Sequence, residues 1–160
     1  MNDVSVGYIE ECLVTARSLL VVGDYDGYRA SLRNIIKMSG DHPILGLDVD
    51  GVITDYVDIF KTLSNSWPGL VIIVSFRSNY DNAVNLLNDL GIYFDKLVLS
   101  PTLDKSEIIK SEKISIYIDD QDECVQNIGD DVLVLKVRNG GNFAEGKWLY
   151  SNRTGKLIGL

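Results

Sequence analysis

The chain has 160 residues, 46% hydrophobic and 24% charged, a composition in the range of one compact globular fold with a buried core. Its 15 basic and 23 acidic residues leave a formal net charge of -8, which works against phosphate backbones and anionic membranes as partners, so nucleic acid is disfavoured rather than excluded. No apolar run nears the ~20 residues that span a bilayer, the opening MNDVSVGYIEE lacks the basic start of a signal peptide, and Cys12 and Cys124 fit no metal-ligand spacing. A protein with no membrane partner and with free thiols, in the reducing cytoplasm, is expected.

In chain order, YIEECLVTARSLL places Ile9, Leu13, Ala16 and Leu20 at helical spacing, and YDGYRASLRNIIKM does the same with Tyr28, Leu32, Ile35 and Ile36. These predict two helices joined at VVGDYDG, with Gly40 as a stop and His42-Pro43 as the crossing into a new unit. The expected division is an N-terminal helical extension over 1–42 and an α/β domain over 43–160. From residue 44 onward the pattern changes to apolar strands, ILGLD, LVIIVS, KLVLS, ISIYID and VLVLKV, separated mostly by helical stretches such as YDNAVNLLNDL and KSEIIKSE. Runs of Val, Ile and Leu without polar alternation suit strands covered on both faces, so the fold class is α/β, a Rossmann-like parallel sheet sandwiched by helices. The tail KWLYSNRTGKLIGL reads as a C-terminal β-hairpin turning at SNRTG.

In such a sheet the ligand crevice lies outside the carboxyl ends of the strands. Asp48, Ser75, Ser100 and Asp119 all fall at expected strand ends. Asp48 and Asp50 stand one residue apart in LGLDVDGVIT, and Asp119 and Asp120 are adjacent in IYIDDQDE. Carboxylates crowded on one edge repel unless a divalent cation such as Mg²⁺ sits among them, and a Mg²⁺ held by a few carboxylates commonly also engages a substrate phosphate. Ser75 and Lys105 are placed to hold the other phosphate oxygens, and Gly51 lets the backbone of DVDGV come close to a ligand.

The set DVDGV, VIIVSFRS, the lysine of DKSEIIK and IYIDDQDE resembles the motifs of the haloacid dehalogenase-like phosphohydrolase superfamily, over roughly residues 44 to 137. The resemblance implies that Asp48 is a nucleophile forming an aspartyl-phosphate and Asp50 a general acid and base. It implies that Ser75 and Lys105 bind the phosphoryl group. Mg²⁺ would lie between Asp48, the Asp50 carbonyl and Asp119, with Asp120 acting through water or behind the ligands. The short spacings from Asp48 to Ser75 and from Ser75 to Lys105 leave no room for the cap domain usual in that superfamily. More loosely, the same core is similar to the 3′-phosphatase domain of phage-type polynucleotide kinase-phosphatase.

The implied activity is Mg²⁺-dependent hydrolysis of a small phosphate ester or nucleotide. A polynucleotide-end phosphatase and a non-catalytic module that keeps the fold are the alternatives. Residues 1–42 pack on the sheet, cover the site or form a homodimer interface; the sequence leaves these open.

Plainer roles compete for several of these residues. Asp104 and Asp122 suit helix capping. Lys110 and Lys113 lie near Lys105, which is favoured because it opens a helix just after a strand end. Arg77 either reaches substrate or pairs with a surface acid, and Arg138 and Asn139 follow the fifth strand where a nucleotide could be touched. His42, the only histidine, reads as a loop residue and argues against a histidine-based triad or zinc site.

Overall fold

The structure, a computed structural model, describes residues 6–39 and 42–148. The chain divides into two compact units, Met1–His42 and Pro43–Leu160. In the first, helices α1 (Val6–Val21) and α2 (Tyr25–Ser39) pack on each other. Gly23 ends α1 in the left-handed region at φ 79°, with its N–H on the Leu20 carbonyl, the arrangement a glycine adopts without steric cost. Asp24 then starts α2 by accepting the Gly27 amide at 3.0 Å.

The second unit is a five-stranded sheet of β1 (Leu45–Leu47), β2 (Val71–Ser75), β3 (Lys96–Leu99), β4 (Ile116–Asp119) and β5 (Leu133–Lys136). The order is β3-β2-β1-β4-β5 and every pairing is parallel. Helices α3 (Val57–Ser66), α4 (Tyr80–Asp89), α5 (Ser106–Ser111) and the short α6 (Asp122–Val125) fill the connections. The two-residue period of a strand sends alternate side chains to opposite cores. Val71 and Ile73 join Leu45, Leu47, Phe60, Ala83 and Leu87, whereas Ile72 and Val74 join Ile109, Ile114 and Tyr117. β2 is therefore buried at every position, as its unbroken apolar run requires. Each fully buried aliphatic side chain contributes roughly 1.5–3 kcal/mol of transfer free energy.

A short antiparallel hairpin pairs Phe143–Ala144 (β6) with Lys147–Trp148 (β7). The hairpin expected across SNRTG falls on residues outside the described ones. At the tip between β6 and β7, Glu145 and Gly146 both take positive φ, 50° and 76°, the geometry of a tight two-residue hairpin turn. Phe143 and Trp148 then meet edge to face at 5.4 Å. Among the described residues, no helix is long and apolar enough to cross a membrane.

Candidate active site

The strand order reverses at β1 and β4, which are neighbours in the sheet although about 70 residues apart in the chain. Asp48 follows β1, its N–H still donating to the Ile118 carbonyl at 3.0 Å, and Asp119 ends β4. The two acids are thus carried side by side to the crevice by the sheet itself.

Beyond Asp48 the chain makes a wide turn over Val49–Ile53, closed by the Thr54 N–H on the Val49 carbonyl at 3.0 Å. Val49, Val52 and Ile53 are fully buried and anchor it, so that Asp50 stands at the surface with about half of its side chain exposed. Gly51 has φ 81°, and a Cβ there would lie 2.5 Å from Asp120 Oδ2 and 2.7 Å from Asn139 Nδ2. The space that Gly51 leaves, expected to admit a phosphate, is filled by these two side chains, and its N–H is given to Thr54 Oγ1 at 3.0 Å. Gly51→Ala should cost about 1–3 kcal/mol through positive φ and displacement of Asp120. A urea midpoint unchanged from wild type would contradict this close fit.

Lys105 immediately precedes α5, and its Nζ donates to Asp48 Oδ1 and to Asp119 Oδ2, both at 2.7 Å. Among the described residues it is the one buried cation, 1% exposed, whereas Lys110 and Lys113 are both exposed. Burial alone would lower its pKa, but the charges of Asp48 and Asp119 outweigh burial and raise it, so the ammonium is held. Asp119 is fixed further by the Tyr117 hydroxyl on Oδ2 and the Gln121 N–H on Oδ1, each at 2.9 Å. Tyr117 fits only because Gly46 on β1 has no side chain; a Cβ there would lie 2.7 Å from the Tyr117 ring.

No family model, curated protein or solved structure matches the chain. The site is therefore read from its own chemistry.

Asp48, Asp119 and Asp120 are all buried, and each offers a carboxylate oxygen within 4.8 Å of the others. Against the one ammonium of Lys105 they leave a formal surplus of two negative charges in a nearly dry place. Burial, offset in part by Lys105 and reinforced by Asp119, raises the Asp48 pKa to about 7. These donors are hard oxygens, a set that could hold a hard divalent cation, and their surplus charge equals what such an ion brings.

A stability profile follows from Asp48. Its carboxyl holds a proton to about 7 when folded and to about 3.9 when unfolded, so the folded state binds the extra proton across that window. Stability in chelator should fall as pH rises from 5 to 8, by roughly 5 °C or more in Tm. Lys105, with its raised pKa, contributes equally throughout this range, because its stabilisation is complete below its unfolded pKa of about 10.4. Asp48→Asn should flatten the profile, and an equally steep slope in that variant would place its origin elsewhere.

The other acid of the first motif lies apart from this cluster. Arg77 grips the Asp50 carboxylate in a two-point contact, Nε to Oδ2 at 2.8 Å and Nη2 to Oδ1 at 2.6 Å. Arg77 thus pairs with an acid, but with the acid of the site itself, and both belong to the wall of a cleft of about 120 Å³ that also includes Asp48 and Lys105. Ser75, at the end of β2, is fully buried and its Oγ has no hydrogen-bond partner among the described residues. An unused buried hydroxyl is costly and suits a group that meets a ligand. Cys124 also lines the cleft, but burial pushes its thiol up to about 12, so it stays protonated and is no nucleophile.

Two asparagines brace the back of the site. Asn139 Nδ2 bridges Asp120 Oδ2 at 2.8 Å and the Gly51 carbonyl at 2.9 Å, and Asn142 Nδ2 bridges the carbonyls of Asp120 and Val137. Both are buried, and Asn139 holds the Asp120 carboxylate against the Gly51 turn. Neighbouring Arg138 lies over the Phe143 ring at 4.7 Å, and its carbonyl accepts the Tyr56 hydroxyl. Asp104 accepts the Ser106 amide, the first of α5, at 2.9 Å, while Lys105 holds the N-cap position without a side-chain cap bond. Asp122 does not cap: Lys136 takes it at 2.6 Å, and the amide at the entrance to α6 goes to Asp119.

Proposed function

We propose that the chain is a Mg²⁺-dependent phosphomonoester hydrolase of the haloacid dehalogenase-like type, acting through a phosphoaspartate on Asp48. The observation that carries this reading is the buried Lys105 bridging Asp48 and Asp119 at the reversal point of a parallel sheet. A structural ion pair needs one acid, and burying three around one lysine is costly unless a cation and a phosphate complete the site. A divalent ion would be held by Asp48 and Asp119, with the Asp50 carbonyl and Asp120 at hand, and supplies positive charge against the phosphoryl oxygens.

Asp48 attacks phosphorus as the ester P–O bond breaks, and Asp50 delivers a proton to the leaving oxygen. Water then attacks the phosphoaspartate, Asp50 takes the water's proton, and phosphate departs with Asp48 regenerated. Lys105 holds Asp48 in place and offsets charge at the phosphoryl group. Arg77 has further N–H donors beyond the two on Asp50, and turning them to the phosphoryl group frees the Asp50 carboxylate to carry a proton. Ser75 offers its unused hydroxyl to the same group. Single helices, α3 and α4, occupy the chain between β1 and β2 and between β2 and β3, so neither interval holds a cap domain.

Phosphate release from p-nitrophenyl phosphate and from a panel of phosphorylated metabolites, nucleotides and 3′-phosphorylated oligonucleotides tests the reading. Release with Mg²⁺, lost in chelator and restored by adding the ion back, is expected. No release from any of them with Mg²⁺ present would overturn it.

A further inference from the structure

A cleft of about 120 Å³ is well below the ~300 Å³ and upward that encloses a whole small-molecule ligand. It has room for a phosphoryl group, and the remainder of an ester bound there must lie across the mouth. Besides the charged groups, the wall is made by Phe76, Leu103, Gln121 and Cys124. Phe76 is 52% exposed, an aromatic ring left in water at the entrance to a polar site.

Its place is set from both sides. Ser75 before it is locked into β2 by pairing with Leu99, and the Arg77 guanidinium after it is anchored at two points, on Asp50 here and on the phosphoryl group once it turns. A ring held on so short a tether loses little freedom when something stacks on it. Leu103, from the loop between β3 and α5, gives a second apolar surface, and Gln121, from the loop between β4 and α6, brings a side-chain amide that can both donate and accept. The uncharged part of this wall therefore offers a ring face, an aliphatic edge and one amide, which matches a flat heterocycle with a polar rim better than a polyol.

We infer that Phe76 seats a planar ring carried by the leaving group, and that the substrates are nucleoside monophosphates rather than sugar or polyol phosphates that carry no aromatic ring. This rests on the hydrolase reading of the same cleft. The net charge of -8 favours a mononucleotide over a long strand, since little counter-charge is available for further phosphates.

The test measures binding and turnover separately. Full-length Asp48→Asn protein with Mg²⁺ is titrated by calorimetry with adenosine 5′-monophosphate, uridine 5′-monophosphate, ribose 5-phosphate, phenyl phosphate and inorganic phosphate. Both nucleotides should bind about tenfold or more tighter than ribose 5-phosphate, the size of a lost base-on-aromatic contact. Adding Phe76→Ala should bring that ratio close to one, and Phe76→Trp should keep it. The ratio of kcat/KM values for the same pairs, measured with Asp48 intact, should move in parallel.

A binding ratio near one with Phe76 in place, no detectable nucleotide binding, or a ratio that Phe76→Ala leaves intact would each overturn the ring seat. So would phenyl phosphate binding as tightly as the nucleotides, which would make the mouth a seat for any aryl ester. A tighter fit for an adenylate-ended 5′-phosphorylated oligonucleotide than for the mononucleotide would overturn the assignment to mononucleotides. If the ratio behaves as expected but no phosphate is released by protein with Asp48 intact, the hydrolase reading fails and the ring seat stands. Release that is equally fast from ribose 5-phosphate, with a binding ratio near one, leaves a hydrolase without the ring seat.

Discussion

Asp48→Asn is expected to lower phosphate release by about 10⁴-fold or more while leaving the chain folded, because the amide is nearly isosteric but cannot attack phosphorus. The site explains why the fold should tolerate the change. Asp48 is 4% exposed and shares one ammonium with Asp119, so its charge is a burden that burial makes worse. An uncharged side chain there removes part of the surplus and still accepts a hydrogen bond from Lys105. In chelator at pH 8 the variant should therefore melt no lower than wild type.

Asp50→Asn should behave differently. Asp50 is half exposed and pairs with Arg77, and in the proposed mechanism its loss withdraws the proton carrier and leaves the nucleophile in place. A leaving group that needs no proton, such as p-nitrophenolate, should still depart, and the phosphoaspartate should accumulate because water is no longer activated. Acid-quenched protein should carry phosphate in the Asp50 variant and none in the Asp48 variant. Full activity of Asp48→Asn would refute the covalent route.

The parts of this molecule that could be read in the sequence are those whose signal is local. Unbroken runs such as VIIVS and IYID mark strands covered on both faces, and β2 and β4 occupy them. The acids were conspicuous because carboxylates at the end of an apolar run are costly without a purpose, and Lys105 because it opens a helix beside them. Much of the support lay in ordinary residues whose partners are remote. Nothing near Gly46 or Tyr117 says that the absence of one side chain admits the ring whose hydroxyl fixes Asp119. Asn139 and Asn142 sit in RNGGN, a loop by composition, and their function appears only when β5 lies beside β4 and brings them against Asp120 and Gly51. The β6–β7 hairpin escapes a sequence reading for a related reason: Glu-Gly is a weak turn signal, and the contact of Phe143 with Trp148 appears only once the two strands pair. Arg77 poses a choice in the sequence between substrate and a surface acid, and the acid it pairs with is Asp50.

Lys105→Met should carry the largest stability cost of any single change at the site, about 3–5 kcal/mol at pH 8 in chelator. Methionine matches the aliphatic stem in bulk, so little packing is lost; what disappears is the one positive charge among Asp48, Asp119 and Asp120, all at most 4% exposed. Two hydrogen bonds of 2.7 Å go with it, and two carboxylate oxygens are left in a place that water reaches poorly. Urea unfolding should show the midpoint falling with little change in slope. The loss should shrink at pH 5, where Asp48, with its pKa raised to about 7 even beside the lysine, is protonated. It should shrink again when Asp119→Asn is added, since the second change removes a charge that the first left unpaired. The double variant should therefore be more stable than the sum of the two single losses, by 1 kcal/mol or more, as coupled neighbours give. If the two losses simply add, the three groups do not act as one electrostatic unit. A Lys105→Met protein as stable as wild type at pH 8 would mean that the carboxylates have another source of compensation, and the bridge would then be incidental to the fold.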